Sequence, residues 1–222
     1  MQMPFKLNKN QTLRESIADS LRDSIIQGAL KPGIKISEPA LALKFGISRT
    51  PVREAFRQLD SEGFLHILPR RGARVAPISE KDVREFYDVK AVLEGHAAKL
   101  AVERLSDKEL EKMESLNNQM EKSNQTKDYK KVFQLHNEFH EVFLRASGNE
   151  QLHHLIRSLV SKFQRFRILL TIAGKIEGSL AQHREIIRAF RSKNGDDASR
   201  LVSDNAIFGK EVIISEILGE MQ

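Results

Sequence analysis

The chain contains no cysteine, which excludes a disulfide framework and any thiolate chemistry and agrees with a reducing compartment. It also lacks any run of about 18 apolar residues that could span a bilayer. Its opening, MQMPFKLNKN, has no apolar core of the kind a signal peptide needs. The expectation is a cytoplasmic protein with no membrane partner. No internal repeat or low-complexity segment stands out. What remains is a chain of 222 residues, 40% hydrophobic and 30% charged, with room for one large globular domain or two modest ones.

Excess charge is absent from most of the chain. Residues 77–222 carry 23 Lys and Arg against 23 Asp and Glu, whereas residues 1–76 carry 13 against 7, which accounts for the whole net charge of +6. A basic segment joined to a neutral one reads as a polyanion-binding module, residues 1–76, on a second domain, residues 77–222, with a different task.

Periodicity gives the basic part its plan. Leu13, Ile17, Leu21 and Ile25 recur every four residues, so Gln11 to Gln27 reads as an amphipathic helix closed by Gly28 and followed by the turn Lys31-Pro32-Gly33. Ser37 caps a short second helix that ends at Gly46. A third helix starts at Ser48, with Val52, Phe56 and Leu59 on its buried face and Gly63 as its stop. FLHIL and ARVAP, separated by PRRG, then read as a small hairpin. This order is that of a winged helix-turn-helix. From Ser79 onward the pattern is helical, with breaks near 105–107, 123–128, 147–149, 174–178 and 194–196 and a capping box at Ser106–Glu109. The expected fold is mainly α: a winged helix-turn-helix with a small β-hairpin, then an all-α bundle of six or seven helices.

The third helix crowds cations into its first turns. In a helix-turn-helix the amino-terminal residues of the second helix of the pair lie nearest the bases, while its apolar stripe packs on the domain. Arg49 and Arg53 are four residues apart and share a face, Ser48 and Thr50 add hydroxyls, and Pro51 costs little where the amides have no intrahelical partner. Arg70, Arg71 and Arg74 place further charge on the wing. A bare basic helix with no ligand would show the same arginines, so the wing and the charge split decide for DNA.

The stretch GALKPGIKISEPALALKFGISRTPVREAFRQLDSEGFLHILPRRGARV resembles the amino-terminal domain of GntR-family transcription regulators. The resemblance implies DNA contacts by Ser48, Arg49, Thr50 and Arg53, assisted by Arg70, Arg71 and Gly72. Pro39 departs from it, standing where the family often has a basic or polar residue.

The neutral part has polar residues on apolar stripes. Phe133, His136, His140, Phe143 and Leu144 share one face, as do Leu180, His183, Ile187 and Phe190, and Leu201, Asn205, Phe208 and Val212. Polar groups pointed into a bundle need partners. Two histidines at i and i+4 with a third from a facing helix suit a divalent transition metal such as zinc, nickel or copper. The alternative is three neutral core histidines bonded to backbone carbonyls or buried water. His66, His96, His153 and His154 show no such convergence.

Residues 79–218, through FYDVKAVLEGHAA, HNEFHEVFLRASGNEQL and QHREIIRAF, are similar to the effector domain of the FadR subfamily of GntR regulators. That resemblance implies a metal set at His136, His140, His183 and Asn205, with His136 in place of a usual acidic residue and Asn205 in place of a usual histidine. It implies Lys90, in place of a common arginine, beside an anionic effector. The functional expectation is a homodimeric repressor that reads a palindromic operator in double-stranded DNA and answers to a small carboxylate effector. Two rivals share these features: a metal-responsive regulator with no organic effector, and a metal-dependent hydrolase with Glu138 or Glu141 as base.

Overall fold

The computed structural model describes residues 12–26, 29–69, 71–77, 79–163 and 176–218. By contact the chain forms two units, the first running through Ser79 and also taking in residues 161–163, the second made of the other described residues from Glu80 onward.

The first unit opens with helix α1, Leu13–Ile26. The expected ends Gln11, Gln27 and Gly28 lie outside the described residues. Helix α2, Glu38–Phe45, starts where Ser37 accepts a hydrogen bond from the Ala40 amide and stops at Gly46, whose φ of 64° is left-handed. Helix α3, Arg49–Ser61, follows after a short turn. Its Val52, Ala55, Phe56 and Leu59 are fully buried with Ile17, Ala18 and Leu21 of α1. Each such large side chain contributes about 1.5–3 kcal/mol of burial energy. The Arg22 guanidinium adds a bidentate bond to Glu62, with Nη2 2.7 Å from Oε2, and so ties α1 to the end of α3.

The wing has one strand more than the hairpin read from the sequence. Strands β2, Leu65–Leu68, and β3, Gly72–Val75, form the expected hairpin, and β1, Lys35–Ile36, pairs antiparallel with the far side of β3. Two residues carry no readable period, so β1 has no signal of its own. The register sets Lys35 and His66 on either side of Arg74.

From Glu80 onward every described element is a helix: α4 Glu80–Ala101, α5 Asp107–Gln125, α6 Tyr129–Ala146, α7 Glu150–Lys162, α8 Glu177–Arg191 and α9 Gly195–Val212, which widens into π-helical turns at Ile213–Leu218. The breaks are capped locally. Ser106 and Glu109 form the reciprocal capping box, Asp128 accepts from Lys131, Asn149 from Leu152 and Asn194 from Asp197. Gly95 lets α9 approach α4 closely, since a Cβ there would meet the Ser203 side chain, and Ser203 donates to the Ala91 carbonyl at 2.9 Å. Met113, Phe139, Phe143, Ile186 and Phe190 fill the middle of the bundle.

Candidate functional site

The start of α3 offers its polar groups to solvent. Ser48 caps the helix with extended backbone and no side-chain cap bond, and Ser48, Arg49, Thr50 and Arg53 are all exposed while the opposite face is buried. Arg49 has no acidic partner among the described residues. Arg53 is held differently: its Nε and Nη2 lie 3.2 and 3.1 Å from Oε2 of Glu38 at the start of α2. Arg57, one turn further on, is exposed as well.

On the wing, Arg71 is exposed at the turn, and Arg70 lies outside the described residues. Arg74 points outward from the strand rather than the turn, in a cross-strand row with Lys35 and His66, all three exposed. Lys35 and Arg74 are like charges facing one another across strands, which costs stability, so this row suits a surface that meets a polyanion. Lys35 was not legible as part of it because β1 was not. Gly72 has a backbone reason to be glycine: its φ is 86°, and a Cβ would sit deep inside the Ile36 carbonyl oxygen.

In the second unit the three histidines converge. His136 and His140 of α6 and His183 of α8 are buried, and one ring nitrogen from each lies within 4.8 Å of the others. Ring centroids are 4.6 Å apart for His136–His140, 5.2 Å for His136–His183 and 5.6 Å for His140–His183. Phe139 stacks on His183 with centroids 4.1 Å apart, fixing the ring from its apolar side. Two imidazoles on a tetrahedral ion at about 2.0–2.1 Å would lie about 3.4 Å apart, so the set stands at, or somewhat wider than, ligation spacing. Three buried imidazole donors fit a divalent transition metal.

Hydrogen bonds around His183 define its tautomer. Asn117 of α5 donates through Nδ2 to the Leu180 carbonyl at 3.2 Å, which turns its Oδ1 toward His183 Nδ1 at 3.0 Å. Nδ1 therefore carries the hydrogen, and Nε2 accepts the Ser179 hydroxyl 3.4 Å away. Ser179 in turn accepts from Asn205 Nδ2 at 2.9 Å, and the same amide donates to Gln182 Oε1 at 2.8 Å. Asn205 thus reaches the cluster through Ser179, a residue that sequence reasoning did not single out.

Glu94 was also missed. It is buried on α4, with Oε2 bonded to Lys90 Nζ and 3.2 Å from His140 Nδ1, an ion-pair distance off the line of a straight hydrogen bond. Lys90 is likewise buried, so its ammonium faces Glu94 rather than open solvent. Glu94 and Lys90 sit at i and i+4, a spacing that in sequence looks like an ordinary exposed pair. A surface cleft of about 260 Å³, lined by Glu114, Asn117, Asn118, Arg184, Ile187 and Arg188, touches the site only through Asn117.

The two bases named for the hydrolase reading are engaged elsewhere or face solvent. Glu138 is exposed, and Glu141 is occupied by Arg145 at 2.6 Å and by His153 at 3.1 Å. Burial pushes the Glu141 carboxyl up, but His153 and Arg145 together hold it below the ordinary carboxylate range.

Comparison with known proteins identifies the family. Residues 13–75 match the gntR family of bacterial regulatory proteins, and residues 85–205 match the FCD domain. The chain is 33% identical to the HTH-type transcriptional regulator YdhC of Bacillus subtilis over 201 residues, 89% of each chain. It is 27% identical to the HTH-type transcriptional repressor RspR of Escherichia coli over 206 residues, 92% of this chain and 90% of that one. The solved structure of E. coli McbR/YncC shares its fold, with a TM-score of 0.72 at 21% identity over 93% of this chain and 99% of that chain. These relatives are regulators rather than enzymes, and no described helix is long and apolar enough to cross a membrane. Two matched domains in order, and a relative of like length, place the chain in the gntR family of bacterial regulatory proteins, as a DNA-binding transcription regulator with an FCD domain.

Proposed function

We propose that the protein is a repressor that docks the start of α3 in the major groove of a palindromic operator. Arg49 and Arg53 meet base edges or phosphates, Ser48 and Thr50 add hydroxyl contacts, and the wing residues Arg70, Arg71 and Gly72 lie along the backbone. The observation that carries this is the division of α3 into a fully buried apolar face and an exposed face led by two arginines. A homodimer supplies the second helix, about 34 Å from the first, for the other half-site.

The regulatory input is a small carboxylate effector bound in the FCD domain, at or beside the buried histidines. His136, His140 and His183 would hold a divalent cation, zinc or nickel, with Asn205 reaching it through its side-chain amide or through Ser179. A bound cation supplies a Lewis-acid anchor for the effector carboxylate. Lys90, ion-paired with Glu94 beside the histidines, is the cation for which an effector carboxylate would compete. Effector binding favours one of two dimer arrangements and so changes the fit to the operator.

Selection of operator DNA from a random-sequence pool, followed by anisotropy titrations, tests the assignment. Arg49→Ala and Arg53→Ala should each abolish specific binding while the thermal melt stays unchanged. Unaltered operator affinity in both variants would overturn the assignment of α3. Wild-type binding should weaken steeply with salt, as counterion release requires.

A further inference from the structure

Two of the buried histidines meet an oxygen acceptor through Nδ1. His183 Nδ1 faces Asn117 Oδ1 at 3.0 Å, and His140 Nδ1 faces Glu94 Oε2 at 3.2 Å. The acceptors come from two different helices, α5 and α4, and both residues are 1% exposed. Each is itself oriented by a further partner: Asn117 by the Leu180 carbonyl and Glu94 by Lys90. Such an arrangement fixes the tautomer and the direction of an imidazole's other nitrogen.

We propose that Glu94 and Asn117 are positioning residues that turn Nε2 of His140 and His183 toward one shared point, with Lys90 holding Glu94 in place. The proposal rests on the metal reading above and deepens it. His183 is the better determined of the two, because both of its nitrogens have partners whose own bonds fix their direction. For His140 the Glu94 carboxylate lies 3.2 Å from Nδ1 but off the line of a straight hydrogen bond, so it constrains the ring less tightly. The two devices also differ in kind: a carboxylate strengthens the basicity of its histidine, whereas an amide oxygen mainly orients it.

Glu94→Leu alone would leave Lys90 buried without its anion and endanger the fold, so the pair is removed together as Lys90→Met with Glu94→Leu. Asn117→Leu removes the other acceptor. Two readouts apply. In the metal-free protein in alkaline buffer, side-chain ¹⁵N NMR should place the hydrogen on Nδ1 of both His140 and His183 in the wild type. Asn117→Leu should change only His183, and the double variant only His140. Zinc affinity, measured by competition with a chromophoric chelator, should fall about 10- to 100-fold in each. The proposal is overturned if the wild-type rings carry the hydrogen on Nε2, or if both variants bind zinc as tightly as the wild type. A wild-type chain that takes up no zinc overturns the metal reading itself, and the positioning of the rings then stands or falls on the NMR spectrum.

Discussion

Replacing Gly72 by alanine separates two roles for one residue. Resemblance assigns Gly72 to DNA contact, while the fold gives it a backbone duty at the first residue of β3, opposite Leu68 and beside Ile36. A residue with a Cβ in the left-handed region costs about 1–2 kcal/mol. The new methyl would also meet the Ile36 carbonyl oxygen, with Ser37 Cα at 3.3 Å, and both are backbone atoms that cannot rotate away. Relief requires β1 to move off β3, giving up ladder hydrogen bonds worth about 0.5–1.5 kcal/mol net each. The sum is a loss of about 2–4 kcal/mol for the first unit. At roughly 4–8 °C per kcal/mol for a domain of that size, its transition in differential scanning calorimetry of the full chain should drop by at least about 8 °C. Operator binding should fall with it. A variant that melts like the wild type refutes the steric argument, and if it also loses operator affinity the contact role is the correct one.

Other outcomes follow from the same geometry. Phe56→Ala should destabilise the first unit by about 3–5 kcal/mol through the cavity it leaves in a fully buried site, read by urea unfolding. Lys90→Met alone should cost the second unit about 3–5 kcal/mol because Glu94 stays buried without its cation, whereas pairing it with Glu94→Leu should recover most of that loss. Asn205→His should raise zinc affinity at least about tenfold, since a fourth imidazole would enter a site already lined by three. The depressed Glu141 carboxyl adds stability that is present above the ordinary carboxylate range and lost as pH falls through its lower folded value. His153→Gln should shrink that acid-side loss by well under 1 kcal/mol, because the pair is partly solvated.

Much of this was legible because the signals are local. Ser37 and Gly46 bracket α2 by the chemistry of caps, and Val52, Phe56 and Leu59 mark the inner face of α3 by spacing alone. The histidine cluster was legible because three polar residues interrupt apolar stripes. What escaped notice depends on contacts between distant segments. Strand β1 exists only by pairing with β3, and Lys35 joins Arg74 and His66 through that register. Asn117 did carry a signal, since it falls seven residues after Leu110 and four after Met113 on the inward face of α5, but its partner His183 is 66 residues away. Glu94 follows Lys90 by four residues, a spacing common to exposed helical pairs, and only the packing of α6 and α9 on α4 buries it.

The claim that the histidine pocket is the regulatory site is met most directly by native mass spectrometry of the chain after chelator treatment and reloading with zinc or nickel. One cation per chain should bind in the wild type and be lost in His140→Ala and His183→Ala. No cation on the wild type, or equal loading of both variants, would contradict the account.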